Sequence, residues 1–205
     1  MSFFQSRMIP SLHPNFPSLI GLAGPGGVGK DTTGTNLRNI IGEHRPARTE
    51  YLAKPLYEMA SALSGVPIPK LQDRATKETP FSVWYQEVPD SMLNHSPRTL
   101  LQFLGKMMRD QFGGDVWVDL LRYRVKEFTS KGGVVIVTDV RYVNEAVMMD
   151  TVVELEREGV AYANNHESAM RLPAELIKHT HKIAEQSPAC VAKAITEALS
   201  GLCVG

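Results

Sequence analysis

Ser18-Leu-Ile-Gly-Leu-Ala23-Gly24-Pro-Gly-Gly-Val-Gly29-Lys30-Asp31-Thr32-Thr33 joins a short apolar block to a glycine-rich turn and the start of a helical pattern. Leu37, Ile40 and Ile41 continue that pattern at helical spacing. A glycine, four residues, then Gly-Lys between a strand and a helix is the pattern of a phosphate-binding loop. Glycines let successive backbone N–H groups turn toward phosphate oxygens, the helix start adds partial positive charge, and a lysine reaches the terminal phosphates. The residues so assigned are Gly24, Gly26, Gly27, Val28, Gly29, Lys30, Asp31, Thr32 and Thr33. Asp31 stands where most such loops carry Ser or Thr for Mg²⁺. It serves either the metal, with Thr32, or the helix dipole, which favours an acid in the first turn.

Beyond the loop, apolar blocks alternate with helical patterns. Tyr51–Ala53 reads as a short second strand, followed by a helix over Leu56–Leu63 that stops at Gly65. Lys70 to Pro97 shows little periodicity and reads as a long surface insert. A helix starts at Pro97, another runs from about Val116 to Phe128, and Val134-Val-Ile-Val-Thr-Asp139 has the continuous apolar character of a parallel strand buried on both faces. Asn144–Met149 reads as a short helix, Thr151–Leu155 as a strand and Pro188–Leu199 as a closing helix. This alternation predicts an α/β fold: a three-layer sandwich with a parallel sheet and helices on both sides.

The size and charge of the chain narrow its function. Its 205 residues suit one domain, 18–205, behind an N-terminal arm, 1–17, that lacks the apolar stretch of a signal peptide. Lys and Arg number 22, as do Asp and Glu, which argues against a nucleic-acid polymer or an anionic membrane as partner. No run approaches a membrane span. Two cysteines, Cys190 and Cys203, offer neither a disulfide framework nor a metal site, and point to a reducing, cytoplasmic setting. Any anionic ligand has to be recruited by local geometry.

Local cations are available. On the helix from Pro97, Arg98, Gln102, Gly105 and Arg109 recur at i, i+4, i+7 and i+11, beside an apolar stripe of Leu100, Leu101, Leu104, Met107 and Met108. A guanidinium fork suits a phosphate, although a charged stripe also serves as a solvated face. Asp139 ends a buried strand, where open parallel sheets place their ligands, and serves Mg²⁺, the substrate or the following turn. Arg141 can pair with Asp139 or touch phosphate. Trp117 suits a base or the core equally.

Gly29-Lys30-Asp31-Thr32-Thr33, Ala53-Lys-Pro-Leu56, Arg98-Thr-Leu-Leu-Gln102-Phe-Leu-Gly105, Trp117, and Thr138-Asp139-Val140-Arg141 with Asn144-Glu145 occur in that order. As an ordered set they resemble the phage-type deoxynucleoside monophosphate kinases, and the resemblance extends from about Leu19 to Leu199. It implies a P-loop NTPase-type fold with a helical substrate and lid region that phosphorylates a deoxynucleoside monophosphate with ATP and Mg²⁺. By the same resemblance Lys30 serves the ATP phosphates, Arg74 and Arg98 bind the monophosphate, Trp117 lies in the monophosphate pocket and Asp139 is the acid of the central strand, while Gln102, from the helical stripe, and Arg141, from its place beside Asp139, are further acceptor-site candidates. The substrate-side insert then covers about 66–97 and a lid about 157–180, with Arg157 as its candidate cation over the transferring phosphoryl group. The chain departs from the family pattern at Asn165-His166-Glu167-Ser168 and at His179-Thr-His181, and its insert is short. A homodimer stays open. So do two other readings: a P-loop kinase of another phosphorylated metabolite, such as dephospho-coenzyme A or phosphomevalonate, and an ATP-dependent switch protein without turnover.

Overall fold

The computed structural model describes residues 12, 15–162, 171–182 and 187–201. Asn165, His166, Glu167 and Ser168, Cys203, and most of the 1–17 arm lie outside these. The chain divides into two compact units, Met1–Glu50 with Val125–Gly205, and Tyr51–Arg124.

The first unit is built on a parallel five-stranded sheet with strand order β2-β3-β1-β4-β5. Its strands are β1 (Leu19–Ala23), β2 (Ala47–Glu50), β3 (Val134–Val137), β4 (Thr151–Glu156) and β5 (His179–Lys182). Every neighbouring pair is parallel, with Ile20 beside Ile136 and Leu22 beside Val153. The α/β class expected from the sequence is the one observed, with β1 leading through the glycine loop into α1 (Lys30–Gly42).

Side chains alternate across this sheet. Ile20, Leu22, Ile136, Val153 and Leu155 form one core with Leu37 and Ile41 of α1 and Ile195 and Leu199 of α8 (Pro188–Gly201). On the opposite face, Gly21 leaves room for α7 (Val143–Met148) and its flanks, since a Cβ there would meet Met149 Cγ at 2.8 Å and Val140 Cγ2 at 3.0 Å.

The second unit is helical, with α2 (Lys54–Ser64), α3 (Ile68–Gln72), α4 (Phe81–Trp84) and α5 (Pro97–Phe112), followed by the start of α6 (Val116–Ser130). Ala60, Val66, Leu71, Phe81, Val88, Leu100, Leu101 and Leu104 make its own core. A reciprocal cap starts α5: Ser96 Oγ accepts from Thr99 N–H at 3.2 Å, and Thr99 Oγ1 accepts from Ser96 N–H at 2.9 Å.

Two expectations are corrected. Tyr51–Ala53 is a turn, and β2 lies just before it at Ala47–Glu50. Lys70–Pro97 is an ordered set of short elements rather than a bare insert, because Leu71, Phe81 and Val88 are each buried in the core of the second unit.

Candidate functional site

The phosphate loop is shaped by three glycines at positive φ, Gly24 (+133°), Gly27 (+85°) and Gly29 (+107°). At Gly24 a side chain is also sterically excluded, since its Cβ would lie 2.4 Å from Leu155 O. Val28 is fully buried and pins the loop to the core. Gly29 opens α1 in the left-handed conformation and supplies no side-chain cap. The first-turn N–H groups therefore have no acceptor from a capping side chain, an arrangement that favours an anion.

Lys30 Nζ donates to Gly24 O at 2.6 Å and to Pro25 O at 2.9 Å. The ammonium thus rests on its own loop, and must exchange these carbonyls for oxygens of higher charge to engage a phosphate. Asp31 and Thr32 are exposed in the first turn, whereas Thr33 is fully buried and its hydroxyl has no hydrogen-bond partner.

Asp31 is tied to the end of β3. Thr138 Oγ1 donates to Asp31 Oδ1 at 2.8 Å, and Thr138 N–H donates to Glu50 O at 3.1 Å. Gly34 permits this close approach of helix and strand end, since a Cβ there would come within 2.6 Å of Thr138 Cγ2. Asp139, next in sequence, is half-buried. Loop, lysine and a helix start without a side-chain cap fit a polyphosphate. Among the described residues no group of three or more His, Cys, Asp or Glu could hold a metal by itself. Asp31 instead fits Mg²⁺, which binds through one or two carboxylates together with phosphate oxygens and water.

Other sequence candidates in this unit are spread out. Arg141 is exposed, and its backbone N–H donates to Glu145 Oε2 at 2.8 Å, so Glu145 acts as the acid at the start of α7. Arg157 is half-buried at the end of β4 and bridges to Val160.

A buried acid that the sequence reading passed over lies beside the loop's root. Glu154 pairs in register with Ala23 and is fully buried. It accepts from Tyr162 Oη at 2.8 Å and from Arg171 Nε at 2.9 Å, and Arg171 Nη2 bonds it as well. Arg171 Nη2 also reaches Glu156 Oε1 at 2.8 Å. Burial, reinforced by the bond to Glu154, pushes the Tyr162 phenol well above its ordinary range, and the bond to Glu154 raises the Arg171 guanidinium further. The signal was in the sequence: an acid at the centre of Thr151-Val-Val-Glu-Leu requires a buried partner.

In the second unit, Arg98 leads α5 and its Nε forms an ion pair with Glu78, while its backbone N–H donates to Lys77 O at 3.0 Å. Lys77 Nζ donates to Tyr57 Oη at 2.8 Å, and Tyr57 meets Tyr51 edge-on at 6.3 Å. The structure thus gathers Arg98, Lys77 and Tyr57, of which only Arg98 was singled out. Arg74 is exposed in the turn after α3, and Gln102 is exposed on α5. Arg109 Nη1 donates to Gly105 O at 3.4 Å. Trp117 is buried, with 4% of its surface exposed.

No helix among the described residues is long and apolar enough to cross a membrane. No family model matches the chain, and no curated protein matches it. It is similar to shikimate kinase from Acinetobacter baumannii in complex with shikimate, at 14% identity over 91% of this chain and 94% of that one, with a TM-score of 0.45. Shikimate kinase from Aquifex aeolicus vf5 shows 16% identity over 91% and 98%, with a TM-score of 0.44. A gluconokinase from Sinorhizobium meliloti 1021 shows 14% identity over 92% and 94%, with a TM-score of 0.38.

Proposed function

We propose that this protein is a kinase that transfers the γ-phosphoryl group of ATP to a deoxynucleoside monophosphate, giving ADP and a deoxynucleoside diphosphate. The observation that carries this reading is the phosphate loop, with Lys30 on its carbonyls and Asp31 fixed by Thr138. The ordered resemblance from Leu19 to Leu199 supports the choice of acceptor.

Phosphoryl transfer asks the protein for positioning and charge neutralisation more than for covalent chemistry. An oxygen of the acceptor phosphate forms the new bond to the γ-phosphorus as the bond to the bridging oxygen of ADP breaks. The acceptor is already ionised, so no general base is needed. Gly24, Gly26, Gly27, Val28 and Gly29 direct backbone N–H groups at the phosphates, Thr32 offers a hydroxyl, and Lys30 follows the terminal phosphates. Mg²⁺, when bound, neutralises phosphate charge, and Asp31, Thr32 and Asp139 are its protein ligands in this reading. Arg74, Arg98, Gln102, Trp117 and Arg141 serve the acceptor, and Arg157 the transferring group. The 18–205 segment then works as one kinase domain, with a substrate-side insert at about 66–97 and a lid at about 157–180, in the cytoplasm.

Burial of Trp117 favours a second reading, a kinase of another small phosphorylated metabolite, because a ring held in the core leaves any base contact to other residues. ADP release measured with each standard deoxynucleoside monophosphate, with 5-hydroxymethyl-dCMP, and with dephospho-coenzyme A and phosphomevalonate separates the two. Turnover with a deoxynucleotide is expected, and its loss in Lys30→Ala by on the order of 100-fold or more, with the fold intact. Turnover only with a non-nucleotide acceptor selects the second reading, and ATP binding without ADP release overturns both.

A further inference from the structure

In the second unit Lys106 pairs with Asp110, Arg122 with Asp119 and Arg98 with Glu78. Lys77 differs. It is half-buried, and among the described residues its ammonium meets no carboxylate. Its Nζ donates to Tyr57 Oη at 2.8 Å and lies 5.5 Å from the centre of the same ring. A phenol oxygen that accepts from an ammonium keeps its own proton to donate. The remaining N–H groups of Lys77, the O–H of Tyr57 and the Nη groups of Arg98 therefore all lack a protein acceptor among the described residues.

The backbone holds these donors in place. Thr79 N–H donates to Thr76 O at 2.9 Å, closing the turn that carries Lys77, and Trp84 Nε1 donates to Thr79 O at 3.0 Å. Arg98 N–H donates to Lys77 O at 3.0 Å, so the lysine's own peptide group caps the first turn of α5. That bond ties Lys77 to Arg98 and uses up a helix-start donor. The pull on an anion here comes from side chains.

We propose that Lys77 and Tyr57 form, with Arg98, a subsite for the phosphate group of a phosphate monoester. The inference rests on the proposed kinase reading and deepens it, adding Lys77 and Tyr57 to the residues that touch the acceptor. A set made only of donors, with Lys77 and Arg98 both charged, calls for an anion. A phosphate monoester carries a charge of about −1.5 to −2 at neutral pH and presents several accepting oxygens. A carboxylate, with a single charge and fewer acceptor positions, leaves part of the set unmatched. Glu78 occupies Arg98 at Nε, whereas Lys77 is held by a neutral phenol, so phosphate engages Lys77 without displacing a carboxylate.

Isothermal titration calorimetry on the full chain, with and without ADP, tests this. The ligands are the standard deoxynucleoside monophosphates, their nucleosides, phosphomevalonate and inorganic phosphate. Lys77→Met should weaken monophosphate binding about tenfold or more, and Tyr57→Phe about threefold or more. Lys77→Arg should keep most of the affinity, and Lys106→Met, which removes an exposed lysine elsewhere on the unit, should leave it within about twofold. The nucleosides, which lack the phosphate, should bind wild type and variants alike; a merely structural role would weaken both ligand types together. Should Lys77→Met fail to fold, Tyr57→Phe, which removes one oxygen and keeps the ring, decides. Phosphomevalonate bound in place of the deoxynucleotides, and weakened by the same substitutions, supports the subsite while overturning the deoxynucleotide reading. Deoxynucleotide binding unchanged by Lys77→Met and Tyr57→Phe overturns the subsite and leaves that reading standing. A wild-type chain that binds none of the phosphate ligands also overturns the subsite, and ADP release then judges the kinase reading separately.

Discussion

Thr138 Oγ1 donates to Asp31 Oδ1 across 2.8 Å, joining the end of β3 to the first turn of the helix that follows the phosphate loop. Thr138→Val removes the donor and keeps the shape. A hydrogen bond of this kind contributes about 1 kcal/mol, so if it orients Asp31 for catalysis kcat should fall about fivefold. The ATP KM should change less, and Thr138→Ser should recover most of the rate. Steady-state ADP release at saturating acceptor measures both.

Gly34→Ala tests the packing beneath that bond. The added methyl would lie 2.6 Å from Thr138 Cγ2, and the β-branched side chain can yield only by rotating its hydroxyl away from Asp31 or by pushing α1 from the sheet. Overpacking of about 1–3 kcal/mol outweighs the helix-propensity gain of up to about 1 kcal/mol. Urea denaturation should show a lower midpoint with an unchanged slope.

Glu78→Gln should free a cation. The Arg98–Glu78 pair is exposed on both sides, 46% and 63%, and a surface pair of this kind is worth about 0–1 kcal/mol. An acceptor phosphate therefore displaces Glu78 at small cost. Without that competition the acceptor KM is expected to fall a few-fold, with the ATP KM unchanged, in initial-rate measurements against both substrates.

Arg171→Leu leaves Glu154 buried with Tyr162 as its one hydrogen-bond partner among the described residues. Because the Arg171 side chain is itself 55% exposed, the expected loss of about 2 kcal/mol lies below the range for a fully buried pair. Glu154→Leu with Arg171→Leu removes the stranded charge as well, and should recover part of the loss. Thermal unfolding of the single and double variants closes this cycle.

Acidification should weaken the first unit through β5. Burial lowers the pKa of His179 and of His181 below the ordinary value of 6.5, and the two rings lie 6.4 Å apart, so that His179 adds to the opposition to charging His181. His179 Nε2 is buried without a hydrogen-bond partner, which leaves a second ring proton no acceptor. The unfolded chain then binds more protons below about 6.5, so this stability is complete above that pH and is lost as pH falls through the lower folded values. The unfolding temperature is expected to drop between pH 7 and pH 5, and His179→Asn with His181→Asn should flatten the drop.

The legible parts of the molecule are those in which one physical demand fixes residue type and spacing together. Gly24, Gly27 and Gly29 are required by backbone conformation, and Val134–Val137 by burial on both faces, so loop, β3 and fold class could be read directly. β2 could not, because its residues are polar: Arg48 lays its guanidinium 4.7 Å above the Phe128 ring and pairs with Glu50 at 3.5 Å, covering itself without an apolar pattern. The 70–97 segment escaped for a related reason. Leu71, Phe81 and Val88 each anchor a short element, too few per element to show a period. At the candidate site, Lys30 and Asp31 were legible from the motif, whereas Thr138, Gly34 and Glu154 depend on which strand lies beside which.

The two outermost strands of the sheet, β2 and β5, read Ala-Arg-Thr-Glu and His-Thr-His-Lys, while β1 and β3 between them are wholly apolar and β4 sets three apolar residues among Thr151, Glu154 and Glu156. A parallel sheet ending in two apolar strands would offer open hydrogen-bonding rims on which further chains could polymerise. Ionisable side chains on both rims make such stacking costly in water, so the same polar residues that hid these strands keep the sheet at finite width and the protein out of aggregates.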